Sequence, residues 1–448
     1  MKTIITNQTI WNIAYPIILG SLAQTLITLT DTAFLGRVSE VALGASAMAG
    51  IYYYVFSTLA WGFSIGIQII VARRLGEGKL NRIGVVFEHG LCFVFLLSMT
   101  LFLIQRYYSD VLLGAPIQSP NIYAAAMEYM SYRHYGIIFV CFNFLFRALY
   151  IGLSNTKIIG YSTAAMAIIN VIFNYLLIFG KFGFPELGIR GSAVGAVIAR
   201  LIEFGILLWF IIRKEKTLQM RLKDFLRKDW KLTKDFLKVG IPIVAHEMIW
   251  SAGTTAGSSI TGQMSTTIVA GYNVANAMYQ LMACTMNGIL HACSVTIGKT
   301  IGSGASREEI QREAYSLILI GLVGGSVLGM LTLLGGDLFI SFYSLTDATR
   351  AFAKGFIAIF AAIWPFSGME MTGMIAVLRA GGDGKTGFIS DIFTMWIFTI
   401  PLAAAGAFMW DFSPYVIIGI IKFNIVLEAL VGIWRIRSMK WIRNLTAA

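Results

Sequence analysis

From Trp11 to Arg437 the chain alternates long apolar stretches with short polar intervals. Each stretch is about twenty residues long, enough at about 1.5 Å rise per residue to cross a ~30 Å hydrocarbon core. The pattern predicts twelve spanning helices, near 10–34, 46–72, 84–105, 122–150, 158–180, 188–213, 239–261, 271–298, 314–344, 351–378, 386–410 and 413–436. The stretch from Trp11 is longer than a signal-peptide core and carries Asp31, so it is expected to remain as the first span. One interval is long and polar, Arg213 to Lys238, with ten Lys/Arg against four acids. Leu218, Leu222, Phe225 and Leu226 recur in it at helical spacing, which predicts an amphipathic linker helix on the inner membrane surface. The expected organisation is an N-terminal six-helix lobe (1–213), a basic linker (214–238) and a C-terminal six-helix lobe (239–448).

The two lobes are copies of one unit. Pro16, Gly36 and Gly76 recur 226 positions later as Pro242, Gly262 and Gly302, and Ile17/Ile243, Thr28/Thr254, Ala49/Ala275, Tyr53/Tyr279, Gly62/Gly288 and Gly78/Gly304 keep the same register. Six spans per unit give both halves one orientation, so the repeat is parallel and a central cleft between the lobes is expected. A further echo follows the fourth span of each half, where Gly152-Leu-Ser-Asn-Thr-Lys157 answers Ala380-Gly-Gly-Asp-Gly-Lys385. Both segments read as tight turns rather than phosphate cradles, because the Walker spacing and a preceding strand are missing.

Composition narrows the class. With 57% hydrophobic and 13% charged residues the chain is outside the soluble range, where about a quarter of residues are charged. The net charge of +12 is not a nucleic-acid patch. The cations crowd into alternate intervals: Arg73, Arg74, Lys79 and Arg82; Arg147 and Lys157; the linker; Lys299, Arg307 and Arg312; Arg379 and Lys385; and the tail from Arg435 to Arg443. That asymmetry predicts a multi-pass protein of the cytoplasmic (inner) membrane with both termini in the cytoplasm. Cys92, Cys141, Cys284 and Cys293 lie inside apolar segments and match no metal spacing. No nucleophile, metalloprotease or phosphate-loop motif occurs and the four histidines are scattered, so an enzyme is not expected.

Ionisable groups at membrane depth are costly and point to function. Asp31 stands out in the polar patch Thr28-Leu-Thr-Asp-Thr32 of the first span, and its repeat mate is Gly257. Low dielectric around such a carboxylate favours proton uptake, whereas a bound Na⁺ would hold it ionised. An interfacial aspartate near the outer end is the plainer alternative. Asn170 and Asn174, four apart on the fifth span, share one helix stripe and fall at a depth that allows a pocket with Asp31. They would offer oxygens to a cation or hydrogen bonds to Asp31, or simply join helices. Gln24 and Thr28 are further polar candidates on the first span, Pro16 marks its bend, and Glu247 and Glu370 are candidate carboxylates of the second half. Arg200 and Glu203 are spaced to pair, while Lys422, Glu428, Asp391 and His291 read as structural or snorkelling.

These residues together resemble the multidrug and toxic compound extrusion (MATE) family of the MOP flippase superfamily. The resemblance rests on Pro16, Ala23-Gln24-Thr25, Asp31 and Gly36, continues through Gly76-Glu-Gly78, Asn170 and Asn174, and ends in Arg379-Ala-Gly-Gly-Asp383 with Pro401 downstream. It implies an all-α fold of twelve helices in two lobes, and export of cationic or amphipathic drugs against inward H⁺ or Na⁺. It also implies a first-lobe cation site, a candidate Na⁺ site, at Asp31, Asn170 and Asn174. In this chain Ala196 stands where many members carry a threonine, and Glu247 resembles the branch whose seventh-helix acid lies nearer the proline. No cofactor beyond the coupling ion is implied, and a lipid-embedded monomer is the expected form. A flippase for lipid-linked oligosaccharides, from the same superfamily, is the alternative; it would need several cationic residues in the cleft, for which Arg200 and Lys422 are the candidates.

Overall fold

Among the described residues the chain is helical wherever the apolar pattern runs, and the short polar intervals become turns. The computed structural model describes residues 7–114, 117, 119–215 and 230–443. The first half comprises α1 (Asn7–Val38), α2 (Glu40–Gly76), α3 (Leu80–Tyr107), the short α4 (Ser109–Gly114), α5 (Pro120–Arg133), α6 (Gly136–Gly152), α7 (Lys157–Phe179) and α8 (Ile189–Arg213). The second comprises α9 (Trp230–Gly262), α10 (Thr266–Gly302), α11 (Arg307–Ser341), α12 (Asp347–Glu370), α13 (Gly384–Asp391), α14 (Ile400–Phe408) and α15 (Pro414–Arg437). Two π-helical stretches, Met371–Leu378 and Ile392–Thr399, continue α12 and join α13 to α14. Leu218, Leu222, Phe225 and Leu226 of the predicted linker helix lie outside the described residues, and the end of the linker, from Trp230, already belongs to α9.

Among the described residues ten helical segments are long and apolar enough to cross a membrane, and α5 with α6, bent by 54°, makes an eleventh. The repeat mate of α1, the 33-residue α9 with Pro242 inside it, stands in the seventh place. The predicted all-α polytopic fold is the fold found. Its fourth span is not one rod, however. At the bend the amides of Tyr135 and Ile137 reach back only three residues, to Tyr132 and His134. That tightening turns the axis between Arg133 and Gly136.

The repeat is visible in helix bounds: α2 and α10 are both 37 residues long and start and stop 226 positions apart. Just past each end, Gly78 (φ 71°) and Gly304 (φ 74°) take the left-handed conformation that closes a helix, which accounts for their identity in the repeat. In the second echo the left-handed residues are Ser154 (φ 62°) and Gly382 (φ 91°), one place before Asn155 and Asp383. Asp383 is instead buried and engaged by side chains: it accepts from Arg435 at 2.6 Å, Arg443 at 2.7 Å and Thr386 at 2.8 Å. The Gly-Gly-Asp-Gly turn therefore clamps the C-terminal tail.

The chain divides into two compact units, Leu19–Leu75 with Lys79–Gly240, and Met1–Ile18 with Gly76–Gly78 and Ile241–Ala448. In the first, Leu35, Ala42, Ala45, Ala49, Ala126, Met130, Ile178 and Ala193 form one apolar core. In the second, Val274, Met278, Ile340, Phe356, Ile357, Phe360 and Ile418 form another. The second unit shows how a membrane helix sorts its faces. On α11, Leu319, Val323, Val327, Met330, Leu334 and Leu338 are exposed, as lipid contact requires. The opposite face carries Gly321, Gly325 and Gly329, and a Cβ on any of them would collide with the α12 carbonyls of Gly368, Trp364 and Ala361 respectively.

Candidate functional site

Asp31 on α1 is half-buried and accepts a hydrogen bond from Asn174 Nδ2 on α7 at 2.5 Å. The same nitrogen donates to Asn170 Oδ1 at 3.2 Å, one turn back on α7. Asn170 and Asn174 are both buried, so the amides form a dry floor beneath the carboxylate. Asn174 Oδ1 has no hydrogen-bond partner and lies against Gly195 of α8. This contact explains the small-residue run: Gly191 and Gly195, four apart, let α8 ride on the α7 backbone at Leu177 and Asn174. Ala196 is buried one residue beyond.

The remaining first-helix candidates are placed elsewhere. Thr28 is exposed and its hydroxyl donates to the Gln24 carbonyl at 3.2 Å. Gln24, about 10 Å along the axis from Asp31 by helical rise, turns its side chain to Arg147. With its amide oriented to satisfy both ends, its oxygen accepts from that guanidinium at 2.8 Å and 3.2 Å. Pro16 is buried within α1.

Arg147 belongs to a second network. Sequence reading put it among the cytoplasmic cations, yet it is nearly buried and pairs with the fully buried Glu203 at 2.8 Å. Arg200 also pairs with Glu203, at 3.1 Å, as its spacing predicts. Asn143 donates to the same carboxylate at 3.0 Å and Thr163 hydrogen-bonds to Arg147. The available signal was position: Arg147 lies five residues inside the end of α6 rather than in the turn. Arg379 is likewise an ion-pair partner rather than a free interval cation. It is 4% exposed, pairs with Glu247 at 2.8 Å and hydrogen-bonds to His246 Nδ1 at 2.7 Å.

In the second unit, then, Glu247 is not a free carboxylate; it is partly exposed and held by Arg379. Glu370 is buried at the last turn of α12, where the π-helical stretch begins, and Asp391 occupies the equivalent place before the next one. Such stretches are frequent at functional sites, and no sequence periodicity marks them. Glu428 on α15 accepts from Thr394 at 3.2 Å and Asn424 at 3.3 Å. Lys422 does not snorkel: its ammonium lies over the rings of Tyr279 and Phe360, 4.8 Å and 5.0 Å from their centroids. All four cysteines are free thiols, and no group of three or more metal-ligating His, Cys, Asp or Glu occurs among the described residues.

Comparison with known proteins follows the repeat. A profile of the MatE family matches residues 16–176 and 242–405, one stretch in each half. The probable multidrug resistance protein NorM of Thermotoga maritima is 24% identical, over 87% of this chain and 83% of that protein. The multidrug resistance protein MdtK of Yersinia pestis is 23% identical, over 89% of this chain and 87% of its own. Among solved structures, a MATE protein in its straight conformation superposes with a TM-score of 0.87 at 17% identity, covering 97% of this chain and 96% of that one.

Proposed function

The chain belongs to the MatE family, and from that premise we propose that it is a cation-coupled antiporter, driven by H⁺ or Na⁺, that exports cationic or amphipathic organic compounds. The relatives named as multidrug resistance proteins support the cargo class. In this reading the protein works as a monomer in the cytoplasmic membrane, with both termini inside, and catalyses no covalent step. The observation that carries the coupling is the contact of Asp31 with Asn174 over a buried amide floor. A single carboxylate in a dry setting cannot serve an organic cation and a small ion at once. Ion uptake neutralises Asp31 and weakens its hold on cargo, so the two bind with opposing preference, a coupling of about 1–3 kcal/mol. Pro16, which lacks an amide donor inside α1, supplies a weak point at which occupancy of Asp31 can change the helix, and alternating access carries the exchange.

Asp31 with its two amides suits H⁺ or Na⁺. Asn174 gives Asp31 a hydrogen-bond donor in this arrangement, and an amide turned the other way would give a cation an oxygen, so the site accommodates either ion. The flippase reading is weakened because Arg200, one of its two candidate cations, is engaged by Glu203. Reconstitution into proteoliposomes with imposed pH or Na⁺ gradients tests the proposal. Gradient-driven movement of an organic cation is expected, and its loss in Asp31→Asn. Wild-type export by Asp31→Asn would remove the carboxylate from the mechanism.

A further inference from the structure

The second unit holds a cation that no acid matches. Lys422 lies about 12 Å along α15 from Pro414 by helical rise, well inside the span. Its ammonium sits over Tyr279 of α10 and Phe360 of α12, 4.8 Å and 5.0 Å from the ring centroids. Those rings are fixed. Phe360 and Trp364, four apart on α12, are fully buried and share one face. Tyr279 stacks on Trp364 at 4.5 Å, meets Phe360 edge-on at 5.4 Å, and its hydroxyl lies 3.0 Å from that of Ser367. A ring face attracts a cation through its quadrupole but leaves the three N–H donors of an ammonium without an oxygen. Among the described residues no acceptor bonds to Lys422 Nζ and no acid pairs with it. Glu428, the acid of the same helix, is engaged by Thr394 and Asn424. The repeat marks the seat as built: in the first half Tyr53, the mate of Tyr279, carries Arg133 over its ring at 4.4 Å. The cation comes from α5 there and from α15 here, so two non-equivalent helices serve the same tyrosine. Arg133 Nη1 is sealed in by protein, whereas Lys422 Nζ is not, and Lys422 is partly exposed.

An ammonium at membrane depth, desolvated on its ring side and lacking a counterion, is stabilised by an anion that reaches it. We propose that Lys422 is the receptor for the acid group of an organic anion, a carboxylate carried on an apolar body. The carboxylate accepts hydrogen bonds from Nζ while Tyr279 and Phe360 hold the ammonium in place, and no covalent bond is made or broken. The proposal narrows the amphipathic cargo to compounds that bear an acid at this subsite. Only the export of such a compound rests on the antiporter reading; its binding does not.

Titration calorimetry on the full-length protein in an uncharged detergent tests the site without any transport measurement. The probes are naphthalene carboxylate and the uncharged naphthalene carboxamide of the same shape. The acid is expected to bind at least about tenfold more tightly, as a hydrogen bond to a charged group implies. Lys422→Met should erase that preference and Lys422→Arg should keep it. Lys354→Gln, which removes an exposed cation of the same unit, should leave it unchanged. Equal affinity of the wild type for acid and amide overturns the proposal with no variant needed, so the test stands should Lys422→Met fail to fold. A preference that survives in Lys422→Met overturns it too. So does a short-chain phosphatidate that displaces the carboxylate at lower concentration, since the ligand would then be a lipid headgroup. Export of organic cations lost with the acid preference intact would count against the antiporter reading alone; export intact with no such preference would count against this one alone.

Discussion

Replacing Gly195 by alanine adds one methyl group where the structure has no room for it. A Cβ at that position falls on Asn174 Oδ1 and within 3.2 Å of the amide carbon and the Asn174 backbone nitrogen. Both helices are fixed by further contacts, since Gly191 is pressed on Leu177 one turn away, so the amide must yield. Overpacking of this kind costs about 1–3 kcal/mol. Moving the amide also breaks the 2.5 Å bond to Asp31, a hydrogen bond to a charged group worth about 1.5–3 kcal/mol. Gly195→Ala should therefore lose at least about 2 kcal/mol, read as denaturant-induced unfolding in micelles, and should impair gradient-driven export as well. A double-mutant cycle separates the causes. In an Asn174→Ala background the obstructing amide is gone, so the same glycine substitution should cost less by about 1.5 kcal/mol or more. Equal penalties in both backgrounds would show that the methyl group meets something other than Asn174, and the account of the α7–α8 contact would be wrong.

Glu203→Leu should destabilise the first unit by about 3–5 kcal/mol, because it strands Arg147 and Arg200 beside a buried apolar side chain; adding Arg147→Met should recover part of the loss in the same unfolding assay. Asp383→Ala removes the clamp on the tail, and hydrogen exchange around residues 438–443 should speed up by about 2 kcal/mol of opening free energy. That value is below the about 3–5 kcal/mol of a broken buried pair because Arg443 is 42% exposed and keeps access to water.

Spacing alone carried the architecture. A helix that crosses lipid must be apolar over about twenty residues and must satisfy its own backbone, so length and composition identify it without knowledge of its neighbours. The repeat was equally legible, since Gly78 and Gly304 hold the same left-handed turn wherever the helices go. Asp31, Asn170 and Asn174 were conspicuous for their cost in an apolar run, as were Glu247 and Glu370. What no one-dimensional pattern contains is which polar groups meet. Asp31 and its partner are 143 residues apart, Arg147 and Glu203 are 56 apart, and Arg379 reaches back 133 residues to His246. Two arginines that read as cytoplasmic charge became buried ion-pair partners, because side-chain direction near a helix end depends on the opposing helix. Asp391, a plain structural residue by sequence, is a buried carboxyl without a hydrogen-bond donor only in the folded chain, whereas Glu428 finds Thr394 and Asn424. Periodicity is a property of one helix, whereas a buried charge is decided by the dielectric and the donors that several helices bring to it.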